Sequence, residues 1–390
     1  MQSDHTCDGD VLNQKEAIIL NPDKWPSVTS AQWRDWRWQM SQRLTTIDDL
    51  REVFSDGLQD NSLIASCIRD FRMAITPYFA RLIAAQGFNG SLWKQAVPDV
   101  AELVKRPHLK LDPLGEEKDS PLPGLVHRYR NRALLLLTDR CAVYCRHCNR
   151  RRKAAGIEQD ATQEQIAGWL TYLTGHPEVR EVILSGGDPL TLTNARLNDF
   201  LTQLRKIPTI EIIRIGSRTP VVLPFRITED LCRILSRHHP LFLNVHVNHP
   251  AELTLEMKRA CDRLVSAGIP LGSQTVLLKG INDDPNVLKI LFSKLLTFRI
   301  KPYCLYHCDP ARGTAHFRTT IAKGRAIMES LLADLSGLAV PHYVVDGPDG
   351  AGKVPVLPDY IEKTFAGGVI LRSLQGRVVH YVDDEAEMGG

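Results

Sequence analysis

The chain has 390 residues, enough for one large domain with appendages or for two domains. A formal net charge of +3 is too small to indicate nucleic acid or a membrane surface as a partner, and no stretch approaches the length of a membrane span. Nine cysteines without a regular framework favour reduced thiols and a cytoplasmic protein.

The first third of the chain is predicted to be mainly helical. Residues 1–30 start with a polar, acidic segment unlike a signal peptide, and they predict a weakly ordered lead-in. A helical region and a linker follow over residues 31–124, and the linker is the Pro- and charge-rich stretch 107–123. Apolar residues recur at helical spacing, which indicates core packing, at Trp33, Trp36, Met40 and Leu44 and again at Ile64, Ile68, Phe71 and Ile75.

The middle of the chain alternates apolar runs with amphipathic segments about every thirty residues, the length of a βα unit. Six such units predict a partial (β/α)6 parallel barrel over residues 125–310, with a doubly wound open sheet as the alternative. Residues 311–390 form a C-terminal extension with a Gly-rich loop and a hairpin of 369–373 with 377–382. The predicted strands are 133–137, 182–185, 212–217, 242–246, 271–276 and 302–306, and the predicted helices are about 162–174, 193–206, 228–238, 251–267 and 285–298.

Polar residues follow almost every predicted strand. Because the carboxyl ends of barrel strands meet at one mouth, we expect these residues to share a site. They are Cys141, the turn Ser185-Gly186-Gly187-Asp188, Ser217 with Arg218, His246, Gln274, and the segment from Tyr306 to Asp309. The two glycines of the turn allow backbone groups to approach a ligand closely, although a plain βα turn has the same sequence.

Cys141, Cys145 and Cys148 stand at the spacing C-x3-C-x2-C. Such a triad can bind three irons of a 4Fe–4S cluster and leave the fourth iron open to a small molecule. In one large enzyme class this molecule is S-adenosylmethionine, which the cluster cleaves to a 5′-deoxyadenosyl radical. A zinc site completed by Cys304 and Cys308, or chance clustering, is the alternative. The spacing favours the open cluster, since zinc usually takes paired short spacings.

Lys353 ends a Gly-rich segment that allows three interpretations. Gly347 to Lys353 satisfies G-x-x-x-x-G-K, the first part of a phosphate-binding loop. Val354 stands where a Ser or Thr would bind magnesium, and Pro355 hampers the helix that would bind phosphate. These departures favour a lysine on a flexible loop that forms a Schiff base with a carbonyl cofactor. A surface loop with a solvated lysine is the third interpretation.

The sequence from about Trp33 to about Leu374 resembles the lysine 2,3-aminomutase family of radical S-adenosylmethionine enzymes. The match includes the cysteine motif with Arg146 and His147 inside it. The other matching segments are Trp36-Arg-Trp-Gln, Arg72-Met-Ala-Ile-Thr-Pro-Tyr, His127-Arg-Tyr, Leu184-Ser-Gly-Gly-Asp, Arg214-Ile-Gly-Ser-Arg-Thr-Pro-Val-Val-Leu-Pro, Asn248-His-Pro and Val344-Val-Asp-Gly.

The resemblance implies a cofactor set of a 4Fe–4S cluster, S-adenosylmethionine and pyridoxal 5′-phosphate. Lys353 would carry the pyridoxal group, Arg128 and Arg132 would hold its phosphate, and Tyr129 and Tyr306 would lie near its ring. Arg150 would bind the substrate carboxylate, and Asp309 with Asp346 would bind the distal ammonium of the substrate. The residues expected around the cluster and S-adenosylmethionine are His147, Ser185, Gly186, Gly187, Asp188, Arg218, His246 and Gln274.

The activity implied is the interconversion of L-lysine and L-β-lysine by radical 1,2-amino migration. Two acidic residues where a glutamate-acting relative carries non-acidic ones favour lysine, with L-arginine or a lysine of elongation factor P as alternatives. The resemblance also implies an electron donor such as flavodoxin or ferredoxin, and a homo-oligomer. Two further classes stay open on the residues alone: a non-catalytic iron–sulfur or zinc protein, and a P-loop nucleotide hydrolase.

One departure from the family concerns zinc. Some lysine aminomutases have a zinc site between subunits, built from a C-terminal cysteine cluster and one upstream cysteine. Here no cysteine follows Cys308, and Asp284 occupies the upstream position. We therefore expect no zinc at that place.

Overall fold

A computed structural model describes residues 24–25, 27–54, 61–154 and 156–383, so the predicted lead-in lies almost wholly outside the described residues. Within these ranges no helix is long and apolar enough to cross a membrane. Short helices make up the N-terminal region: α1 (Ser30–Arg34), α2 (Trp36–Ser41), α3 (Ile47–Phe54), α4 (Asn61–Asp70), α5 (Pro77–Gln86), α6 (Ser91–Ala96) and the 3-10 turn Val100–Leu103.

The predicted apolar stripes of this region pack into the core. Leu44 and Phe71 are fully buried, and Trp33 and Trp36 are half-buried against the main core. The first stripe is divided between two helices because Asp35 accepts a hydrogen bond from the backbone N–H of Arg37 and thereby caps α2. The helical prediction is confirmed for most of this region. Leu44, Phe71 and Ile75 lie outside the helices, and Leu44 and Ile75 pair with each other as an isolated β-bridge.

A nine-stranded sheet forms the centre of the protein, and its strands lie in chain order. Strands β2 to β8 are parallel, whereas β1 and β9 pair antiparallel at the two edges. Sequential order excludes the doubly wound alternative, in which the strand order reverses. The strands are β1 (Leu125–Tyr129), β2 (Arg132–Thr138), β3 (Glu181–Gly186), β4 (Ile212–Ser217), β5 (Leu241–His246), β6 (Leu271–Leu277), β7 (Ile300–His307), β8 (His342–Gly347) and β9 (Gly352–Pro355).

All six predicted parallel strands are present as β2 to β7, so the partial parallel barrel is confirmed. The sequence pattern did not predict β8, a seventh parallel strand contributed by the C-terminal extension, or β9 beside it. The two edges approach each other at the mouth, where the hydroxyl of Tyr129 on β1 accepts a hydrogen bond of 3.1 Å from the backbone N–H of Lys353 on β9.

Helices cover the outside of the barrel: α7 (Gln163–Thr174), α8 (Asn194–Leu204), α9 (Thr219–Val222), α10 (Glu229–Ser236), α11 (Leu255–Ser266), α12 (Pro285–Thr297) and α13 (Ile321–Asp334). Threonine caps define most of their starts, at Thr162, Thr193, Thr228, Thr254 and Thr320. Asp284 caps α12 by accepting from the backbone N–H of Asn286 at 2.8 Å. The residue at the family's zinc position thus has a structural role here.

The C-terminal extension ends in a small antiparallel sheet of β10 (Ile361–Phe365), β11 (Gly368–Arg372) and β12 (Val378–Val382). Val369 on β11 pairs with Tyr381 on β12, so the predicted hairpin is confirmed. Strand β10 adds a third member that the sequence pattern did not indicate.

A buried ion pair attaches the cysteine loop to the N-terminal region. The Arg146 guanidinium is fully buried and contacts both carboxylate oxygens of Glu102, at 2.8 and 2.6 Å. It also donates to the backbone carbonyls of Phe71 and Arg72. Arg151 contacts the same carboxylate. Although burial acts against ionisation, these two arginines lower the pKa of Glu102 below its ordinary value.

Replacing Glu102 by Gln should destabilise the protein by about 3–5 kcal/mol, because two buried guanidinium groups lose their counter-charge. Anaerobic chemical denaturation measures this change. The matched control is Asp230→Asn, which breaks the exposed pair with Arg233 and should change the free energy of unfolding by less than about 1 kcal/mol. Equal effects of the two substitutions would contradict the importance of the buried pair.

Candidate active site

A cavity of about 380 Å³ opens at the carboxyl ends of the parallel strands. Every site residue predicted from the sequence lines it, including the three cysteines, the glycine turn, Lys353 and both aspartates. The barrel therefore collects these residues as expected, although their positions along the chain extend from Arg128 to Lys353. Their binding roles stay predictions.

The three cysteines lie in the loop after β2 and are free thiols. Burial raises the pKa of Cys141 well above its ordinary value and that of Cys148 to about 11. Arg218 donates to the Cys145 sulfur at 2.7 Å. Within the described residues, no three His, Cys, Asp or Glu side chains converge on a single metal ion. A 4Fe–4S cluster would take each of these cysteines on a separate iron.

The glycine turn after β3 packs directly against the start of the cysteine loop. Gly186 has a φ of +124°, and a Cβ atom there would overlap the carbonyl of Thr138. A Cβ atom on Gly187 would overlap the carbonyl of Arg140. The backbone N–H groups of Gly187 and Asp188 donate to these two carbonyls at 2.5 and 2.8 Å. The glycines thus permit close contact between two segments of the chain. From the sequence, the same glycines were interpreted as allowing close approach to a ligand.

Asp188 connects the glycine turn to the end of β4. Its buried carboxylate accepts hydrogen bonds from the Ser217 hydroxyl and from the backbone N–H groups of Arg218 and Thr219, at 2.8 to 3.0 Å. It also accepts from the backbone N–H of Leu190. Asp188 therefore fixes the relative position of two loops that line the cavity.

A chain of hydrogen bonds crosses the cavity wall from β5 to β7. Gln274 donates its amide N–H to the Tyr306 hydroxyl at 3.0 Å, and its carbonyl oxygen lies 2.7 Å from Nε2 of His246. This amide orientation requires His246 to donate from Nε2. Burial lowers the pKa of His246 below its ordinary value, in agreement with a neutral imidazole.

His147, between two of the cysteines, has an unsatisfied polar atom. Its Nε2 lies 3.3 Å from the amide nitrogen of Asn248, whereas its buried Nδ1 has no hydrogen-bond partner among the described residues. Burial, with Arg218 nearby, lowers the pKa of His147 well below its ordinary value. A buried N–H without a partner is uncommon in proteins and suits a ligand with an acceptor atom in the cavity.

Lys353 lies in strand β9, directly opposite Asp346 on β8. Its ammonium contacts both Asp346 oxygens, at 2.9 and 2.6 Å, and stands 4.4 Å from the centre of the Tyr306 ring. The sequence analysis placed this lysine on a flexible loop, which is wrong because pairing with β8 makes the segment a strand. The P-loop interpretation is also wrong, since Lys353 does not lie at the start of a helix.

Asp309 is half-buried and lines the same cavity as this ion pair. Asn149 donates to its carboxylate at 2.7 Å. Burial and the negative charge of Asp346 raise the pKa of Asp309 to about 6. Two carboxylates that destabilise each other in a partly dry cavity form a site for a cation.

Two of the three arginines predicted to bind anions, Arg128 and Arg150, have acidic partners within the protein. Arg128 donates to Asp119 at 2.6 Å and to the carbonyl of Leu114. Arg150 contacts Glu116 at 2.7 to 3.2 Å. Asp119, Leu114 and Glu116 belong to the predicted linker, whose composition gave no indication that it reaches the cavity.

Tyr129 and Arg132 join Lys353 in one continuous group. The Arg132 guanidinium lies 4.2 Å from the centre of the Tyr129 ring, and the Tyr129 hydroxyl contacts the Lys353 backbone. An amine at one end and guanidinium groups at the other fit a cofactor with a carbonyl and a phosphate, such as pyridoxal phosphate.

Sequence comparisons agree with this geometry. The radical SAM superfamily profile matches residues 135–289, and a lysine-2,3-aminomutase profile matches residues 328–389. The chain is 45% identical to the L-lysine 2,3-aminomutase of Fusobacterium nucleatum over 93% of this chain and 85% of that protein. It is 46% identical to the L-lysine 2,3-aminomutase of Clostridium subterminale over 91% of this chain and 85% of that protein.

A relative named for another substrate is also similar. The glutamate 2,3-aminomutase of Clostridioides difficile is 38% identical over 96% of this chain and 89% of that protein. Among solved structures, SuiB of Streptococcus suis bound to S-adenosylmethionine matches 55% of this chain and 50% of that chain, with 11% identity and a TM-score of 0.41.

Replacing Gly187 by Ala should displace the cysteine loop, because the new methyl group overlaps the Arg140 carbonyl. We expect a loss of about 1–3 kcal/mol in stability and a lower iron content per chain, measured on anaerobically reconstituted protein. Gly337→Ala is the control, since no atom lies within 4 Å of the added Cβ. Full iron binding by the Gly187 variant would show that the turn does not position the cysteines.

Proposed function

We propose that this chain, which belongs to the lysine 2,3-aminomutase family of radical SAM isomerases, interconverts L-lysine and L-β-lysine. The proposed cofactors are a 4Fe–4S cluster on Cys141, Cys145 and Cys148, S-adenosylmethionine, and pyridoxal 5′-phosphate on Lys353. Family membership rests on the similarity to curated aminomutases over nearly the whole chain. The observation that carries the choice of substrate is the half-buried pair of Asp309 and Asp346.

The aspartate pair favours a substrate with a second cation. Asp309 has its pKa raised to about 6 by burial and by Asp346, so an ammonium group between them would relieve an unfavourable charge arrangement. A glutamate side chain would bring a third carboxylate to the same place and would be repelled. The longer guanidinium of arginine has the correct charge and is the second candidate.

In this structure the ammonium group of Lys353 is the cation that pairs with the Asp346 carboxylate. When Lys353 is bonded to a carbonyl cofactor, its nitrogen no longer offers Asp346 an ammonium group. While Lys353 is so bonded, Asp346 would be available to pair with the distal ammonium of an entering lysine. The ion pair between Lys353 and Asp346 thereby couples cofactor attachment to recognition of a basic substrate.

The remaining residues hold and shield the reacting groups. When bound, the pyridoxal carbonyl supplies covalent attachment for an amine, and the cluster with S-adenosylmethionine supplies a carbon-centred radical. Tyr306, held by Gln274, presents its ring to the Lys353 nitrogen. Arg150 offers its guanidinium to the substrate carboxylate. Arg128 and Arg132 offer theirs to the cofactor phosphate, which would compete with Asp119 for Arg128.

An external electron donor, such as flavodoxin or ferredoxin, is part of the proposal because the cluster has to be in its reduced state to cleave S-adenosylmethionine. The isomerisation itself consumes no electrons, so the donor activates the cluster and is not used up in each turnover. We also propose that the protein assembles as a homo-oligomer, as the family resemblance implies.

Substrate choice is tested by anaerobic assay of the reconstituted protein with lysine, arginine, glutamate and alanine. Lysine should be converted to β-lysine, arginine should be the strongest competitor, and glutamate and alanine should be nearly inert. Asp309→Asn and Asp346→Asn should each lower kcat/KM for lysine by about 3–5 kcal/mol in transition-state free energy, because a buried cation loses its partner.

Asp349→Asn is the control for these variants. This carboxylate is exposed and pairs with Lys110 outside the cavity, so its loss should leave kcat/KM unchanged. Preference for glutamate, or full lysine activity in both cavity variants, would overturn the charge-pair argument while leaving the radical chemistry intact.

Lysine affinity should depend on pH through Asp309. Below about pH 6 the carboxyl is protonated and lysine has to displace that proton, so affinity should fall by up to about tenfold per pH unit. Above this pH the carboxylate is already ionised and affinity should level off. Asp309→Asn should abolish this change of lysine affinity with pH. The measurement is the dissociation constant of lysine between about pH 5 and 8, and a flat profile in the unmodified protein would exclude Asp309 as the titrating group.

A further inference from the structure

The predicted linker contributes a buried acid to the cavity wall. Residues 107–123 contain neither helix nor strand, yet Glu116 within them is only 5% exposed and lines the cavity. A buried carboxylate in an irregular segment requires strong partners. Glu116 has two: Arg150, and at 3.8 Å Arg152.

The contacts with Glu116 use one edge of the Arg150 guanidinium. Nε donates to both carboxylate oxygens at 2.9 and 3.2 Å, and Nη2 donates to one of them at 2.7 Å. Nη1 lies 3.3 Å from the Ser185 hydroxyl. A guanidinium has five N–H groups, so one on Nη1 and one on Nη2 remain for another acceptor. Two such groups can bind a carboxylate in bidentate fashion.

We infer that Glu116 is a positioning residue that holds Arg150 so that its remaining N–H groups face the substrate carboxylate. The inference rests on the proposed function and extends it to a residue outside the predicted site. If Glu116 were removed, the Arg150 side chain would keep one hydrogen-bond partner among the described residues. That partner is the neutral Ser185 hydroxyl. A long arginine side chain then has several orientations, and the substrate carboxylate has to select one of them.

Charge balance supports the same role. Although burial acts in the opposite direction, Arg150 and Arg152 lower the pKa of Glu116 below its ordinary value, so it is ionised at neutral pH. Glu116 and the substrate carboxylate would therefore lie on two sides of one guanidinium. This arrangement fixes the orientation of Arg150 while two of its N–H groups stay available to an anion. Arg152 adds no surplus positive charge, because it also pairs with Asp112 at 3.0 Å and with Glu117 at 3.2 Å.

The test compares two ligands that differ in the carboxylate. Lysine and 1,5-diaminopentane are titrated into pyridoxal-loaded protein without reductant, and binding is followed by the change in pyridoxal absorbance. In Glu116→Gln the dissociation constant of lysine should rise by roughly tenfold or more, since a misdirected guanidinium binds the carboxylate poorly. That of 1,5-diaminopentane, which has no carboxylate, should stay within about twofold. A structural role alone would weaken both ligands equally.

Two further variants keep the test decisive. Glu117→Gln, on the same segment, removes an exposed carboxylate that contacts Arg152 and should change neither constant. Glu116→Asp retains the charge on a shorter side chain. It should weaken lysine binding selectively, but less than Glu116→Gln does, and it replaces the Gln variant if that variant fails to load pyridoxal phosphate.

Equal dissociation constants for lysine in the unmodified and Glu116 proteins, or equal losses of affinity for both ligands, would overturn the inference. No response of the unmodified protein to lysine would instead refute the proposed function.

Discussion

Charge pairing inside a partly dry cavity is the constraint on which this site depends. The parallel strands bring acidic and basic side chains from distant parts of the chain to one mouth, where water cannot fully screen them. Each strongly buried cation near the cysteines has an acidic partner: Arg146 has Glu102, Arg218 has Glu252, and Arg150 has Glu116. Asp309, which lacks a cation in direct contact among the described ion pairs, is the carboxylate whose pKa rises. Asp309 is therefore the group at which the basic substrate proposed above would be accommodated.

Close backbone contact is the second constraint, and it explains why the glycine turn stands where it does. The cysteine loop has to start within hydrogen-bonding distance of the turn after β3, and side chains at Gly186 or Gly187 would separate them. Asp188 then extends the connection to the end of β4. Three consecutive loops of the barrel are thus fixed to one another before any ligand is considered. A rigid loop of this kind can present three thiols at defined separations.

Short sequence patterns predicted the strands whose ends are marked by neighbouring residues in the chain. Strands β2 to β7 were found within two residues of their ends because buried apolar runs and glycine-containing turns are visible in a short window. Strands β8 and β9 were not predicted. The pairing of Asp346 with Lys353 depends on the position of β8 beside β7 in the barrel, and the Gly-rich sequence itself does not indicate it. The cysteine spacing and the family motifs placed the site residues at the cavity. Glu116 and Asp119 were missed because a Pro- and charge-rich composition indicates solvent exposure, and tertiary contacts with Arg150 and Arg128 override that tendency.

The hydrogen-bond chain of His246, Gln274 and Tyr306 connects the two halves of the cavity. One end lies on β5, beside Gly216, on which a Cβ atom would come within 3.3 Å of the His246 ring. The other end is the ring that contacts Lys353. Because the three residues stand on adjacent parallel strands, the barrel itself sets their separations and loop motion cannot change them. In the proposed reaction, a radical formed beside the cysteines would have to reach a substrate held beside Lys353, and small displacements reduce the rate of such a reaction strongly. Placing the connecting residues on strands rather than loops meets that requirement, and it explains why the chemistry-bearing residues of this chain lie at the ends of the barrel strands.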